Sequence, residues 1–257
     1  MNYGLYLSAS GVLTNMYRQD VFANNLANAN TVAFKRDVPA IRPRSPQAVE
    51  TPLGFDVSQR LLDRLGGGVF AGPQQISFAA APFRKTGNPL DAALEDPQAF
   101  FVVAQDDSAQ PALTRDGRMT PNADGFLVTA VGGHLLLDTA GQPIAVNPSE
   151  PIELDAAGRV RQGQRVVGQL QITGVRDLTR LQKFGENLLI FKDGRDGRRP
   201  ADQPTIKVGF VEASGVDPIK ALLRLVEATK AVTANGNLIR YHDQMMDRAV
   251  NVLGRVA

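Results

Sequence analysis

The chain has 257 residues, 43% hydrophobic and 21% charged, a balance that fits a folded globular protein and excludes a wholly disordered one. Its formal net charge is +2 and it has no cysteine, so disulfides, thiol catalysis and cysteine-bound metals are excluded. Basic residues fall in short stretches, at Arg42 and Arg44, Arg159 to Arg165 and Arg195 to Arg199, so no nucleic-acid partner is expected.

Residues 1 to about 30 read as a helix. Leu5, Ala9, Val12, Met16, Ala23 and Leu26 fall on alternating three- and four-residue steps, with polar Gln19 interrupting, the spacing of one helical face. Asn24, Asn25, Asn28 and Asn30 then crowd its end, and asparagine suits a helix stop because it competes for backbone hydrogen bonds. The first basic residue is Arg18, so no cleaved signal peptide is expected. No apolar run nears the roughly 20 residues needed to cross a bilayer, so the chain is expected not to span a membrane.

Residues 36 to about 85 lose periodicity. Pro39, Pro43, Pro46, Pro52 and Gly66 to Gly68 punctuate them, which predicts an extended connector with occasional strands. Residues 86 to about 211 read as β structure. Phe100 to Val103 is a β-branched and aromatic run, and Phe126–Thr129, His134–Leu137 and Arg165–Val167 are further strand candidates. Between them recur Asp116-Gly117, Asp124-Gly125, Ala140-Gly141, Ala157-Gly158 and Gln162-Gly163. Glycine supplies positive φ at no steric cost, so each predicts a tight turn, and the domain is expected to be mainly antiparallel.

Residues 217 to about 254 return to helix. Asp217 is placed to cap it and Pro218 to open it. Leu225, Val232, Ile239, Met246 and Leu253 then follow at strict seven-residue intervals, with Ala231, Leu238, Met245 and Val252 as a second column. Such a repeat favours supercoiling against other helices. Asn235-Gly236-Asn237 weakens the middle and predicts a bend there. The fold class expected is therefore α+β, with coiled-coil-like terminal helices and a β domain inserted between them. Residues 1–35 with 212–257 form the helical part, 36–85 the connector and 86–211 the β domain. Helices this long need cover for their apolar stripes, either from neighbouring subunits or from the chain's own β domain.

Several stretches together resemble the flagellar basal-body rod and hook proteins. The run Asp20 to Lys35, DVFANNLANANTVAFK, is similar to that family's Ala-Asn-Asn-Leu-Ala-Asn core followed by Thr-x-Gly-Phe-Lys. Gly87 to Asp91, Phe100 to Val103, Thr114 to Gly117, Asn122 to Thr129, Phe184 to Leu188, Gly209 to Val216 and Asp243 to Met245 continue the likeness in order. Ala33 stands where the family usually has glycine, so a different local backbone is expected there. Gly215 stands where asparagine is usual. Within the family the short connector looks more like the proximal rod protein than the distal one.

The resemblance implies a structural subunit that assembles through its terminal helices into an inner tube and transmits torque. It implies a place in the flagellar basal body, in the periplasmic space, reached through the flagellar type III export apparatus. Other rod and hook-family axial subunits are the implied partners. Carried over by position, the subunit interface is Leu5, Val12, Met16, Asn24, Asn25, Leu26, Asn28, Leu225, Val232, Ile239, Met246 and Leu253, with the asparagines fixing the turn out of the tube. The rival expectation is a monomeric β-rich binding or adhesion module with its helices folded back. Catalysis is not expected. His134 and His242 are the only histidines, and no Gly-x-Ser-x-Gly, His-Glu-x-x-His or phosphate-loop pattern occurs. No catalytic residue, metal site or cofactor is assigned.

Overall fold

A computed structural model describes residues 3–45, 66–105, 110–200 and 205–253. A helix opens the chain at Tyr3–Ala27 and a second closes it at Pro218–Arg248, running on into one π-helical turn at Ala249–Leu253. Between them lie short strands, so the fold is α+β. The chain divides into two compact units. One comprises Met1–Ala27, Asp37–Gln75 and Asp217–Ala257; the other comprises Asn28–Arg36 and Ile76–Val216.

The second unit is built on a six-stranded antiparallel sheet. Its order is Leu181–Gly185, Leu188–Phe191, Ala112–Thr114, Ala99–Val103, Ile172–Val175, Arg198–Pro200. All five residues of Ala99–Val103 are buried. Phe101 and Val103 pack with Leu127, Leu136, Ile144 and Val160 on one face. Phe100 and Val102 pack with Leu113, Leu181 and Leu189 on the other. Both faces being covered explains why this strand reads as an unbroken apolar run.

Turn chemistry follows the glycines, with one exception. Gly125, Gly141, Gly158 and Gly163 all take positive φ. Gly163 sits in the two-residue link between Arg159–Gln162 and Arg165–Gln169, where Gln162 pairs Arg165. Gly117 does not adopt positive φ, which corrects the turn expected at Asp116-Gly117. It is glycine for a different reason: a Cβ there would come within 1.7 Å of the Ala92 carbonyl oxygen, and its own carbonyl accepts from Ala92 N at 2.9 Å. His134–Leu137 also departs from expectation. Leu135, Leu136 and Leu137 form single bridges to Val128, Val103 and Pro143, so no ladder accumulates.

In the first unit, Asp217 caps the second helix, its carboxylate accepting from Ile219 N at 3.1 Å and Lys220 N at 3.2 Å. These bonds hold the Asp217 carboxyl below its usual pKa. The helix runs 31 residues, about 46 Å at 1.5 Å per residue, and passes unbroken through Asn235-Gly236-Asn237. Asn235 Nδ2 donates to Ala231 O at 2.9 Å, holding its side chain against its own helix. The ribbon Ile41–Pro43 with Val69–Ala71 is tied to the first helix by its hydroxyls. Tyr3 donates to Gly66 O, Thr14 to Val69 O at 3.4 Å and Tyr17 to Gly72 O at 3.3 Å.

Substituting Gly117→Ala forces Cβ into the Ala92 carbonyl. Its unfolding free energy, read from urea titration, is expected to fall by about 3 kcal/mol.

Candidate functional site

The two helices of the first unit pack along each other. Gly4 lies against His242, where a Cβ would come within 2.6 Å of the imidazole, and Gly11 lies against Asn235, where it would meet Oδ1 at 3.0 Å. Ascending numbers on one helix meet descending numbers on the other, so the pair is antiparallel. The covered side of the first helix carries Ser8, Thr14, Val21, Phe22 and Asn25, and that of the second carries Ala221 and Ala228. This side is small and polar as much as apolar.

The apolar stripes expected to form an interface lie partly or wholly outside that seam. Leu5 and Met16 are exposed, while Val12 and Leu26 are half-buried. Leu225, Val232 and Ile239 are half-buried and Met246 is exposed; the side chain of Leu253 lies outside the described residues. In the second column Leu238 is 48% and Met245 57% exposed. Ile219, Leu222, Leu223 and Val226, which the periodicity did not single out, are exposed as well. The overlooked signal was the seven-residue step of Gly4 and Gly11, and of Ala221, Ala228, Asn235 and His242.

The asparagines divide by role. Asn25 is buried at the helix end and clamps the Asp37 backbone from both sides: Nδ2 donates to Asp37 O at 2.7 Å, and Asp37 N donates to Oδ1 at 2.8 Å. The amide thus supplies the two bonds a neighbouring strand would supply. Asn28 accepts from Thr31 twice, from Oγ1 onto Oδ1 at 3.1 Å and from N onto its carbonyl at 3.1 Å. Its carbonyl also accepts from Ser214 Oγ at 2.9 Å. Asn24 is exposed on the helix.

Residues 28–36 are anchored within the second unit by long-range hydrogen bonds. Ala33 N donates to Glu212 O at 2.8 Å, Gly215 N to Phe34 O at 2.9 Å and Asn187 Nδ2 to Val32 O at 3.1 Å. Lys183 Nζ stands 3.8 Å from the centroid of the Phe34 ring. Ala33 has φ of +57°. That is the left-handed region, which favours glycine, and the alanine places a buried Cβ in it.

At the end of the segment Lys35 enters a buried ion cluster. Its Nζ donates to Glu212 Oε1 at 2.6 Å, and Arg115 Nε donates to Glu212 Oε2 at 2.5 Å. All three side chains are at most 4% exposed. The terminal guanidinium nitrogens donate to the carbonyls of Asp96 at 2.8 Å, Ala99 at 2.7 Å and Leu94 at 2.9 Å, and Lys35 Nζ also donates to Ala79 O at 3.3 Å. Burial pushes the Lys35 amine below the usual lysine range; Glu212 opposes that and Arg115 adds to it. Among the described residues no three His, Cys, Asp or Glu side chains gather as a metal site would need. What the arrangement offers is anchorage and apolar surface.

Two family models match the chain where these features lie. Residues 5–35 match the flagella basal body rod protein model, and residues 207–252 match the flagellar basal body rod FlgEFG protein C-terminal model. Over its whole length the chain is 31% identical to the flagellar basal-body rod protein FlgF of Caulobacter vibrioides, covering 100% of both chains. It is 30% identical to FlgF of Mesorhizobium japonicum, covering 99% of each. To the flagellar basal-body rod protein FlgG of Bacillus subtilis it is 26% identical, over 96% of this chain and 98% of that one.

Replacing Glu212→Gln leaves two buried cations without their anion, and urea titration is expected to show a loss of about 3–5 kcal/mol. The loss has a pH signature. Lys35 binds its proton less tightly folded than unfolded, and without Glu212 its pKa falls further. The unfolded variant then holds more protons than the folded one across the alkaline window below the ordinary lysine value, so the deficit shrinks as pH rises through it. Ala33→Val puts a β-branched side chain at positive φ and is expected to cost about 2 kcal/mol by the same titration.

Proposed function

This chain belongs to the flagellar basal-body rod protein family, and from that premise we propose that its terminal helices assemble with those of neighbouring subunits into the axial drive shaft. It is a structural subunit of the bacterial flagellar rod, and its role in this reading is mechanical: to transmit torque along the axis. Two relatives named FlgF are 30–31% identical to the chain, against 26% for the FlgG of Bacillus subtilis, which favours a proximal place in the rod. Other rod and hook-family axial subunits are the partners, and the periplasmic part of the basal body is the site. Among the described residues no helix is long and apolar enough to cross a membrane. Delivery through the type III export apparatus fits this reading.

One observation carries the proposal: the outside of the helix pair carries large apolar side chains among its charged ones. Within the chain, small and polar residues such as Gly4, Ser8, Gly11 and Asn235 occupy the seam. Leu222, Leu223, Leu238 and Met245 face away from it, 48–58% exposed. A solvent-facing helix in a monomer carries the opposite pattern. The contacts favour a coiled-coil-like geometry, since Gly4 to Gly11 and Asn235 to His242 both span seven residues and meet pairwise. Heterologous contacts that do not close into a ring then extend as a helical filament. The interface read from the sequence is carried forward with one change of emphasis: the more exposed column of Leu238 and Met245 joins it.

Leu238→Glu tests this. The site is half-exposed and glutamate keeps the helix, so far-UV circular dichroism and thermal midpoint are expected to stay close to those of the parent. Sedimentable assembly is expected to fall at least about tenfold, the equivalent of roughly 1.4 kcal/mol or more per contact. Unchanged assembly with an unchanged fold would favour a monomeric module instead.

A further inference from the structure

The four methionines among the described residues fall into contrasting environments. Met119 is 3% exposed in the core of the β unit. Met16, Met245 and Met246 stand on the helical unit and open to solvent. Met245 and Met246 also line a cavity of about 480 Å3 beside Leu5, Ile239 and His242. Adjacent residues on a helix point about 100° apart, so this pair serves both apolar columns in a single turn. Met245 continues the column of Leu238, and Met246 that of Ile239. Methionine is the soft, adaptable filler of such surfaces, and the one apolar side chain there that a mild oxidant makes polar.

We propose that Met245 and Met246 are an oxidation site at which a peroxide switches off the assembly surface of the free subunit. The inference rests on the assembly reading above and adds a regulatory modification to it. In the step, a lone pair of the thioether sulfur attacks one peroxide oxygen. The S–O bond forms as the O–O bond breaks, sulfur is oxidised by two electrons, and the proton of the attacked oxygen leaves with the departing hydroxide as water. The product sulfoxide is polar and chiral, and it places a hydrogen-bond acceptor on both columns where an apolar partner would seat. Packing into the shaft would cover the same sulfurs, so the site is open before assembly and closed after it. The change is reversible by sulfoxide reduction.

The experiment uses the full chain, treated with hydrogen peroxide, followed by peptide mass mapping and sedimentation of assembled material. Met245 and Met246 are expected to gain one oxygen each at least about tenfold faster than Met119, in line with their access to solvent. The treated chain is expected to lose assembly several-fold. Measured against its own untreated sample, the double variant Met245→Leu, Met246→Leu is expected to lose no assembly on the same treatment. The proposal is overturned if these two sulfurs oxidise no faster than that of Met119. It is equally overturned if the doubly oxidised chain assembles as the untreated chain does, or if the double variant loses assembly as steeply under peroxide. An untreated chain that never assembles counts against the rod-assembly reading, and mass mapping then decides the modification on its own.

Discussion

A carboxylate buried between two cations organises this molecule. Glu212 can leave water only because Lys35 and Arg115 meet its two oxygens. Each of those cations can be buried only because Glu212 and a set of backbone carbonyls receive its donors. The three partners come from the stretch after the first helix, the middle of the β unit and the stretch before the second helix. The cluster therefore forms only when both ends of the β unit's chain are brought to Arg115. The pairs Ala33–Glu212, Gly215–Phe34 and Asn187–Val32 add backbone bonds around the same point.

Local chemistry was legible in the sequence where it acts over a few residues. Asp217-Pro218 announced a cap and the cap is there, because an aspartate reaching the second and third amides needs nothing from elsewhere. Glycines at 125, 141, 158 and 163 announced turns for the same reason. Gly117 looks identical in sequence yet serves a close approach of Ala92, a contact made by another segment. The cluster around Glu212 was illegible altogether. Its partners are 97 and 177 residues away, and each is an ordinary charged residue until the fold brings them together. Ala33 shows the limit from the other side: its neighbours' bonds hold the backbone at positive φ even though the residue disfavours it.

The helices show the same division. Periodicity found the apolar columns, but it could not tell which face meets the chain's own partner helix. That depends on close approach, which glycine and alanine permit and leucine prevents. The seam therefore follows Gly4, Gly11, Ala221 and Ala228, while Leu222, Leu223, Leu238 and Met245 are left outward. Large apolar side chains left on the outside suit the proposed subunit, whose helices are finished by neighbours. In the proposed assembly the helices are the part whose stability depends on neighbouring subunits.

Hydrogen–deuterium exchange, compared between the free chain and the same chain in isolated basal bodies, tests the central claim most directly. The account predicts that residues 3–27 and 218–248 exchange fast in the free chain and become strongly protected on assembly, while Ala99–Val103 and its neighbours in the sheet are protected in both. Equal protection of both helices in the free, monomeric chain would contradict it, because the helices would then be complete within one molecule.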